Sequence, residues 1–160
     1  MKTPIIILVI LIAPYLINAC SRLIGFKNFP DCIVLMLGLS LAFAFFGVGH
    51  FVMTEPLSRM IPDIFPFRIE LVYLTGVLEF LLAFGLLFPQ SRNLAGLGCI
   101  AVLVGFFPFN IYAAFQSIDV GGHAWGPVYL WVRTPLQIIL LAWCWFLVVK
   151  PHVRYKKTAY

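Results

Sequence analysis

The chain has 160 residues, of which 62% are apolar and only 11% are charged. Soluble proteins contain about 45–50% apolar and about 25% charged residues, so the composition excludes an ordinary soluble domain, and it excludes a disordered chain as well. The formal net charge of +5 does not indicate nucleic-acid binding, because four of the eleven basic residues lie at the C-terminus. Lys150, Arg154, Lys156 and Lys157 instead predict a basic cytoplasmic tail that contacts anionic lipid.

Five apolar runs predict five membrane-spanning helices. They cover residues 4–19, 32–54, 67–88, 94–115 and 126–149. The last four are each about 20 residues or longer, which is enough to cross roughly 30 Å of hydrocarbon, whereas the first is shorter and contains Pro14. Short segments rich in proline or glycine separate the runs and read as connections. We therefore expect an all-α, polytopic membrane helix bundle.

The first run has two interpretations, an N-terminal membrane helix over residues 1–20 or a signal peptide. Ile17-Asn18-Ala19-Cys20 matches a lipoprotein cleavage box poorly. With five spans and a cytoplasmic tail, seven basic residues lie inside and three outside, whereas cleavage would place the tail outside, against the positive-inside rule. We expect the first helix to be retained, where it could serve as an uncleaved signal anchor. A four-helix domain over residues 32–149 and a tail over residues 150–160 follow it. The expected location is the plasma (inner) membrane, with the C-terminus in the cytoplasm.

The four cysteines fall toward the cytoplasmic ends of the predicted spans. That compartment is reducing, and no Cys-x-x-Cys motif is present. Cys99 and Cys144 are therefore interpreted as small buried apolar side chains rather than as a disulfide or a thiol-exchange pair.

Six polar residues interrupt the apolar runs and are the candidate ligand-binding or polar-core residues. A charged side chain near the bilayer centre costs about 2.5–3.5 kcal/mol on insertion scales, so such groups face the bundle interior and find partners. Counting from the outer end of each span at 1.5 Å per residue places the first three of them about 6–9 Å deep and two more about 15–16 Å deep. The shallow group is His50, Asn110 and Arg133, and the deeper group is Gln137 and Glu79. The sixth residue, Thr75, lies one turn from Glu79 on the same helix face.

These depths predict an outward-facing pocket with a polar mouth and a charge-paired floor. Arg133 is the expected counter-ion of Glu79, and Gln137, one turn below Arg133, is expected to donate to the same carboxylate. Pro108 and Pro135 each free a backbone carbonyl, and irregular helices are tolerated in membranes where they line a cavity. We expect a cavity of at least about 300 Å³, with a ligand tail lying among phenylalanine side chains. Those side chains are Phe45, Phe46 and Phe106.

Structural roles compete with functional ones at each of these positions. Glu79 and Arg133 could equally form an ion pair that fixes helix register, His50 could be a satisfied helix-end histidine, and Asn110 could join two helices. His123 is placed in a loop, which leaves His50 as the one histidine within a span and argues against a bis-histidine haem. The sequence offers no evident metal cluster, nucleophile motif or phosphate-binding loop.

Several short motifs, in order and in successive spans, resemble the DoxX-like family of small four-helix membrane proteins. The resemblance covers residues 32–149, and the first helix lies outside it. The motifs are Gly49-His50-Phe51, Ile61-Pro62, Tyr73-Leu74-Thr75-Gly76-Val77-Leu78-Glu79, Arg92, Phe107-Pro108-Phe109-Asn110-Ile111-Tyr112 and Arg133-Thr134-Pro135-Leu136-Gln137.

The resemblance implies membrane subunits of quinone-linked oxidoreductase systems for some members, partners of thiol-oxidative-stress proteins for others, and assembly chaperones for distant relatives. It assigns no catalytic residue. We therefore expect an accessory subunit that binds a lipophilic, quinone-like molecule and contacts a membrane or redox protein. The quinone is the candidate ligand, and no other cofactor is evident. The alternative is a membrane assembly protein whose polar core is purely structural.

Overall fold

The computed structural model describes residues 2–26 and 29–150, and these residues form helices and connections without a β-strand. Tail residues 151–160 and Lys27, which entered the charge count, lie outside the described residues. The elements are α1 (Lys2–Leu23), α2 (Asp31–Val52), α3 (Thr54–Ser58), α4 (Arg68–Leu87), α5 (Arg92–Phe115), a 3₁₀ helix (His123–Tyr129), α6 (Leu130–Cys144) and a π-helical turn (Trp145–Val149).

Five helical segments are long and apolar enough to cross a membrane, which confirms the predicted all-α membrane bundle. They are α1, α2, α4, α5 and the continuous segment from His123 to Val149. Two boundaries differ from the prediction. Residues 54–58, assigned partly to a span and partly to a connection, form the separate short helix α3. The last span begins at His123 rather than at residue 126, because a 3₁₀ helix precedes α6.

The centre of the bundle is the contact between α2 and α4. Glycines allow the two helices to approach, since a Cβ at Gly47 would lie 3.0 Å from the ring of Phe80. The Ser40 hydroxyl donates to the Ala83 carbonyl at 2.7 Å and joins the helices through a buried hydrogen bond. Phe43, fully buried, fills the adjacent core. This pairing sets the relative positions of the polar side chains that lie toward the C-terminus of α2 and toward the N-terminus of α4.

Helix α1 is packed into the same core. Ile7 and Leu11 are buried, and Gly38 of α2 faces the Leu11 backbone so closely that a Cβ there would lie 2.2 Å from its carbonyl oxygen. At the other end of α1, the Asn18 side-chain amide donates to the Phe29 carbonyl at 3.1 Å and accepts from the Phe29 amide at 3.2 Å. These contacts make α1 a structural part of the bundle.

The cysteines divide into two groups. Cys99 and Cys144 are fully buried and unbridged, as expected for small apolar side chains. Cys20 and Cys32 are exposed and also unbridged.

Candidate functional site

A cavity of about 450 Å³ lies at the end of the bundle that carries α3, called here the α3 end. Its walls come from the C-terminal parts of α2 and α5, the N-terminal parts of α4 and α6, the first turns of α1 and the 3₁₀ helix. The volume exceeds the expected 300 Å³. All six polar residues singled out in the sequence line it, namely His50, Thr75, Glu79, Asn110, Arg133 and Gln137.

The imidazole of His50 bridges two residues of α4. Its Nε2 lies 3.2 Å from Glu79 Oε2, and its Nδ1 lies 3.3 Å from Thr75 Oγ1. Thr75 and Glu79 are one helical turn apart, so both face α2 from the same side of α4. The Nε2 to Oε2 approach is close enough for an ion pair but poorly aligned, because Oε2 has no directed hydrogen bond from the described residues. The Glu79 carboxyl group therefore retains hydrogen-bonding capacity.

The hydrogen positions in this group follow from the contacts of Thr75. Its hydroxyl carries one hydrogen, and the shorter contact, 2.8 Å to the Val72 carbonyl, accounts for it. His50 Nδ1 must then donate to Thr75 Oγ1. The contact between Nε2 and Glu79 is favourable only with a proton on one partner, either as imidazolium and carboxylate or as imidazole and carboxylic acid.

Arg133 interacts with Glu79 as the expected counter-ion, but not through direct contact. Among the described residues the ion-pair partner of Glu79 is His50, and Arg133 forms no ion pair within 4 Å. Both residues line the cavity, close enough for their charges to interact. The depth count placed His50 near the mouth and overlooked that its ring points down toward α4. The buried Nε of Arg133 has no hydrogen-bond partner among the described residues.

The two amide side chains also differ from the prediction. Gln137 donates to the Leu103 carbonyl of α5 rather than to Glu79. Asn110 donates to the Phe106 carbonyl, one turn back on its own helix, at 2.9 Å. Neither acceptor is the Val104 carbonyl, which Pro108 leaves without its intrahelical donor. Gln137 therefore joins α6 to α5, and Asn110 bonds within α5.

His123 is the residue that the sequence analysis missed. It was assigned to a loop, but it begins the 3₁₀ helix, is 3% exposed and lines the cavity. Its Nδ1 lies 2.7 Å from the Val120 carbonyl, and its Nε2 is buried without a partner among the described residues. The glycines at 121 and 122 resembled an ordinary loop signal and concealed the burial. The cavity accordingly has two histidines, and the argument from a single histidine against a haem no longer holds.

The rest of the wall is apolar and aromatic. Phe45, Phe46 and Phe106, expected to receive a ligand tail, line the cavity. The rings of Phe106 and His50 have centroids 6.3 Å apart, so the polar group is in contact with the apolar wall. On the α3 end, Met53 and Leu57 cover the cavity. Small-molecule sites typically combine such apolar walls with a few polar groups.

Metal binding finds no support in the described residues, where no group of three or more His, Cys, Asp or Glu side chains could hold an ion.

Comparison with curated proteins and with solved structures finds no match. A family model described as a domain of unknown function, DUF8561, matches residues 39–148. The match covers α4, α5 and the last span nearly completely, together with most of α2, and it includes all six candidate residues. Because it extends over more than half of the chain, the protein belongs to the DUF8561 family.

Proposed function

We propose that this protein binds a small lipophilic molecule with a polar, quinone-like head group in the cavity at the α3 end. The observation that carries the proposal is that one cavity of about 450 Å³ collects the six predicted polar side chains, together with His123, within a largely apolar membrane bundle. Polar side chains in a membrane span are costly, and those that line a cavity mark functional sites by default. A purely structural polar core would not require a space of this size.

The available hydrogen-bonding groups suit a ring with oxygen substituents. The guanidinium of Arg133 offers donors, and its Nε has no partner among the described residues. Glu79 Oε2 offers an acceptor on the wall formed by α4. A quinone-like ring could lie between them, with its tail against Phe45, Phe46 and Phe106.

The charge distribution supports an orientation with the α3 end outside. At that end Arg59 pairs with Glu55, and Arg68 pairs with Asp63. At the opposite end Arg22 pairs with Asp31, whereas Arg92 donates to the Leu86 carbonyl at 3.0 Å and has no acidic partner among the described residues. This asymmetry agrees with the positive-inside rule. It supports a plasma (inner) membrane protein with a cytoplasmic C-terminus, and a cavity that a lipid-soluble ligand enters from the outer leaflet.

The DoxX-like motifs support a place in a redox-linked membrane system. The protein would act there as an accessory subunit rather than as a self-contained enzyme, since its polar residues form no recognised catalytic motif. Its partner would be a membrane or redox protein. The competing function is membrane assembly, in which the cavity binds nothing and the polar core only holds the helices together.

A cavity-filling substitution tests ligand binding. Gly49 lines the cavity, and a Cβ at this position meets no atom within 4 Å, so Gly49→Leu places a side chain in the cavity without a clash at Cβ. Gly105→Leu is the matched control, because this glycine is exposed, also has space for a Cβ and does not line the cavity. Binding of a short-chain quinone to the full-length protein in detergent is measured by quenching of intrinsic tryptophan fluorescence.

We expect the unaltered protein and Gly105→Leu to bind the quinone with equal affinity and Gly49→Leu to lose at least about tenfold, which corresponds to about 1.4 kcal/mol. Equal binding by all three proteins would contradict the proposed site. Binding by none of them, with the proteins folded, would contradict the proposed function and favour the assembly role.

A further inference from the structure

The hydrogen bonding of His123 fixes what its free nitrogen can recognise. A carbonyl oxygen accepts, so the 2.7 Å contact with Val120 requires that Nδ1 carries the hydrogen. In the neutral ring Nε2 is then an acceptor, and it is buried without a donor among the described residues. A buried acceptor without a donor is unfavourable, so a ligand that donates a hydrogen to Nε2 binds more tightly than one that does not.

The surrounding segment holds this ring in place. The His123 and Tyr129 rings pack edge to face with centroids 4.7 Å apart. Gly122 has φ +119°, and a Cβ there would lie 2.5 Å from the Tyr129 ring, so only glycine allows the segment to close around the two rings. The orientation of Nε2 is therefore set by packing as well as by the Val120 contact.

The atoms without partners in the cavity comprise both acceptors and a donor. His123 Nε2 and Glu79 Oε2 can accept, and Arg133 Nε donates. A quinone carbonyl only accepts, so of these three atoms it can pair with Arg133 Nε alone. A hydroxyl group donates one hydrogen and accepts through its oxygen, so two ring hydroxyls can serve both acceptors and Arg133. The three atoms are nearly covered by their neighbours, so a small shift of the neighbouring side chains accompanies the contact.

We infer that the cavity is selective for hydroxyl-bearing aromatic head groups, of the hydroquinone or phenol class, over their carbonyl forms, and that His123 is the residue that determines this specificity. The inference rests on the proposed function and narrows its ligand from quinone-like molecules in general to the hydrogen-donating form. A site built to hydrogen-bond a hydroxyl discriminates strongly against analogues that lack it, because its polar groups then stay unpaired.

Three probes that share one ring skeleton and tail separate these cases: a short-chain alkyl hydroquinone kept reduced under anaerobic conditions, its dimethyl ether, and the corresponding quinone, which matches the hydroquinone in size. Their affinities for the full-length protein in detergent are compared. We expect the hydroquinone to bind at least about tenfold more tightly than either of the others. The dimethyl ether carries no redox chemistry, so its weak binding would show that the hydroxyl hydrogens matter rather than the redox state.

Two variants assign the preference to His123. His123→Phe keeps an aromatic ring against Tyr129 but removes both nitrogens, and Trp125→Phe alters an exposed residue of the same 3₁₀ helix that does not line the cavity. We expect the preference to fall to within about threefold in His123→Phe, with binding of the dimethyl ether unchanged, and to persist in Trp125→Phe.

Equal binding of hydroquinone and quinone by the unaltered protein would overturn the inference and leave the proposed function intact. This comparison decides the matter even if His123→Phe fails to fold. An unchanged preference in folded His123→Phe would overturn the role of His123. Binding of none of the probes would overturn both the inference and the proposed function.

Discussion

Gly76 of α4 lies directly against His50 of α2. A Cβ at Gly76 would come within 2.8 Å of the His50 Cβ and 2.9 Å of the Phe51 ring. Gly76 is one residue from Thr75 and three from Glu79, the two residues that the His50 imidazole contacts. The absence of a side chain at Gly76 is therefore what lets the imidazole reach both of its partners across the helix interface.

The first prediction follows from this contact. Gly76→Ala should separate α2 from α4 and destabilise the bundle by about 1–3 kcal/mol, as overpacking of a tight interface does. Gly105→Ala should leave stability unchanged or raise it by up to about 1 kcal/mol, because that helical glycine is exposed and has space for a methyl group. Unfolding of both variants in detergent is compared, and equal stabilities would contradict the close approach.

The second prediction concerns the pair formed by His50 and Glu79. His50→Gln and Glu79→Gln should show a coupling energy of about 0.5–3 kcal/mol in a double-mutant cycle, because the two groups lie 3.2 Å apart in a buried contact. The parallel cycle of Glu79→Gln with Arg133→Gln should give a smaller coupling, since Arg133 forms no ion pair within 4 Å. A larger coupling for Arg133 would show that it, and not His50, is the partner of Glu79.

The sequence was sufficient to predict the number of spans and six of the polar residues that line the cavity. An apolar run long enough to cross the bilayer has few alternatives to a helix, and polar side chains within it must face the interior. Depth counting then placed His50, Asn110 and Arg133 near one end, and all three line the same cavity. Both inferences use only the rise per residue and the cost of polar groups in lipid.

Pairing within the cavity could not be predicted in the same way. Depth gives the position of a Cα along the bilayer normal but not the direction of its side chain, and His50 contacts Glu79 because Gly76 brings the helices together. His123 was missed for a related reason. Its burial depends on two adjacent glycines with positive φ that fold the segment back onto Tyr129, and in the sequence the same glycines indicate only a loop.

The third prediction tests whether α1 is an integral part of the bundle. Gly38→Ala would place a Cβ 2.2 Å from the Leu11 carbonyl oxygen, and backbone cannot move away as a flexible side chain can. We expect a loss of about 1–3 kcal/mol in stability. Gly49→Ala, on the same helix with no atom within 4 Å of the added Cβ, is the control and should not destabilise the protein. If the two variants have equal stability, α1 does not pack on α2 as described.

The last prediction concerns orientation, on which entry of a ligand from the outer leaflet depends. Asp119 is exposed between α5 and the 3₁₀ helix, and Gln90 is exposed between α4 and α5, at opposite ends of the bundle. Each is replaced by cysteine, one at a time, after the four native cysteines have been replaced. A membrane-impermeant maleimide should label Asp119→Cys in intact cells and Gln90→Cys only after permeabilisation, because the basic residues of the opposite end are retained in the cytoplasm. The reverse pattern would place the α3 end and its cavity on the cytoplasmic side. Ligand entry would then be from the inner leaflet, and the charge argument for the orientation would be wrong.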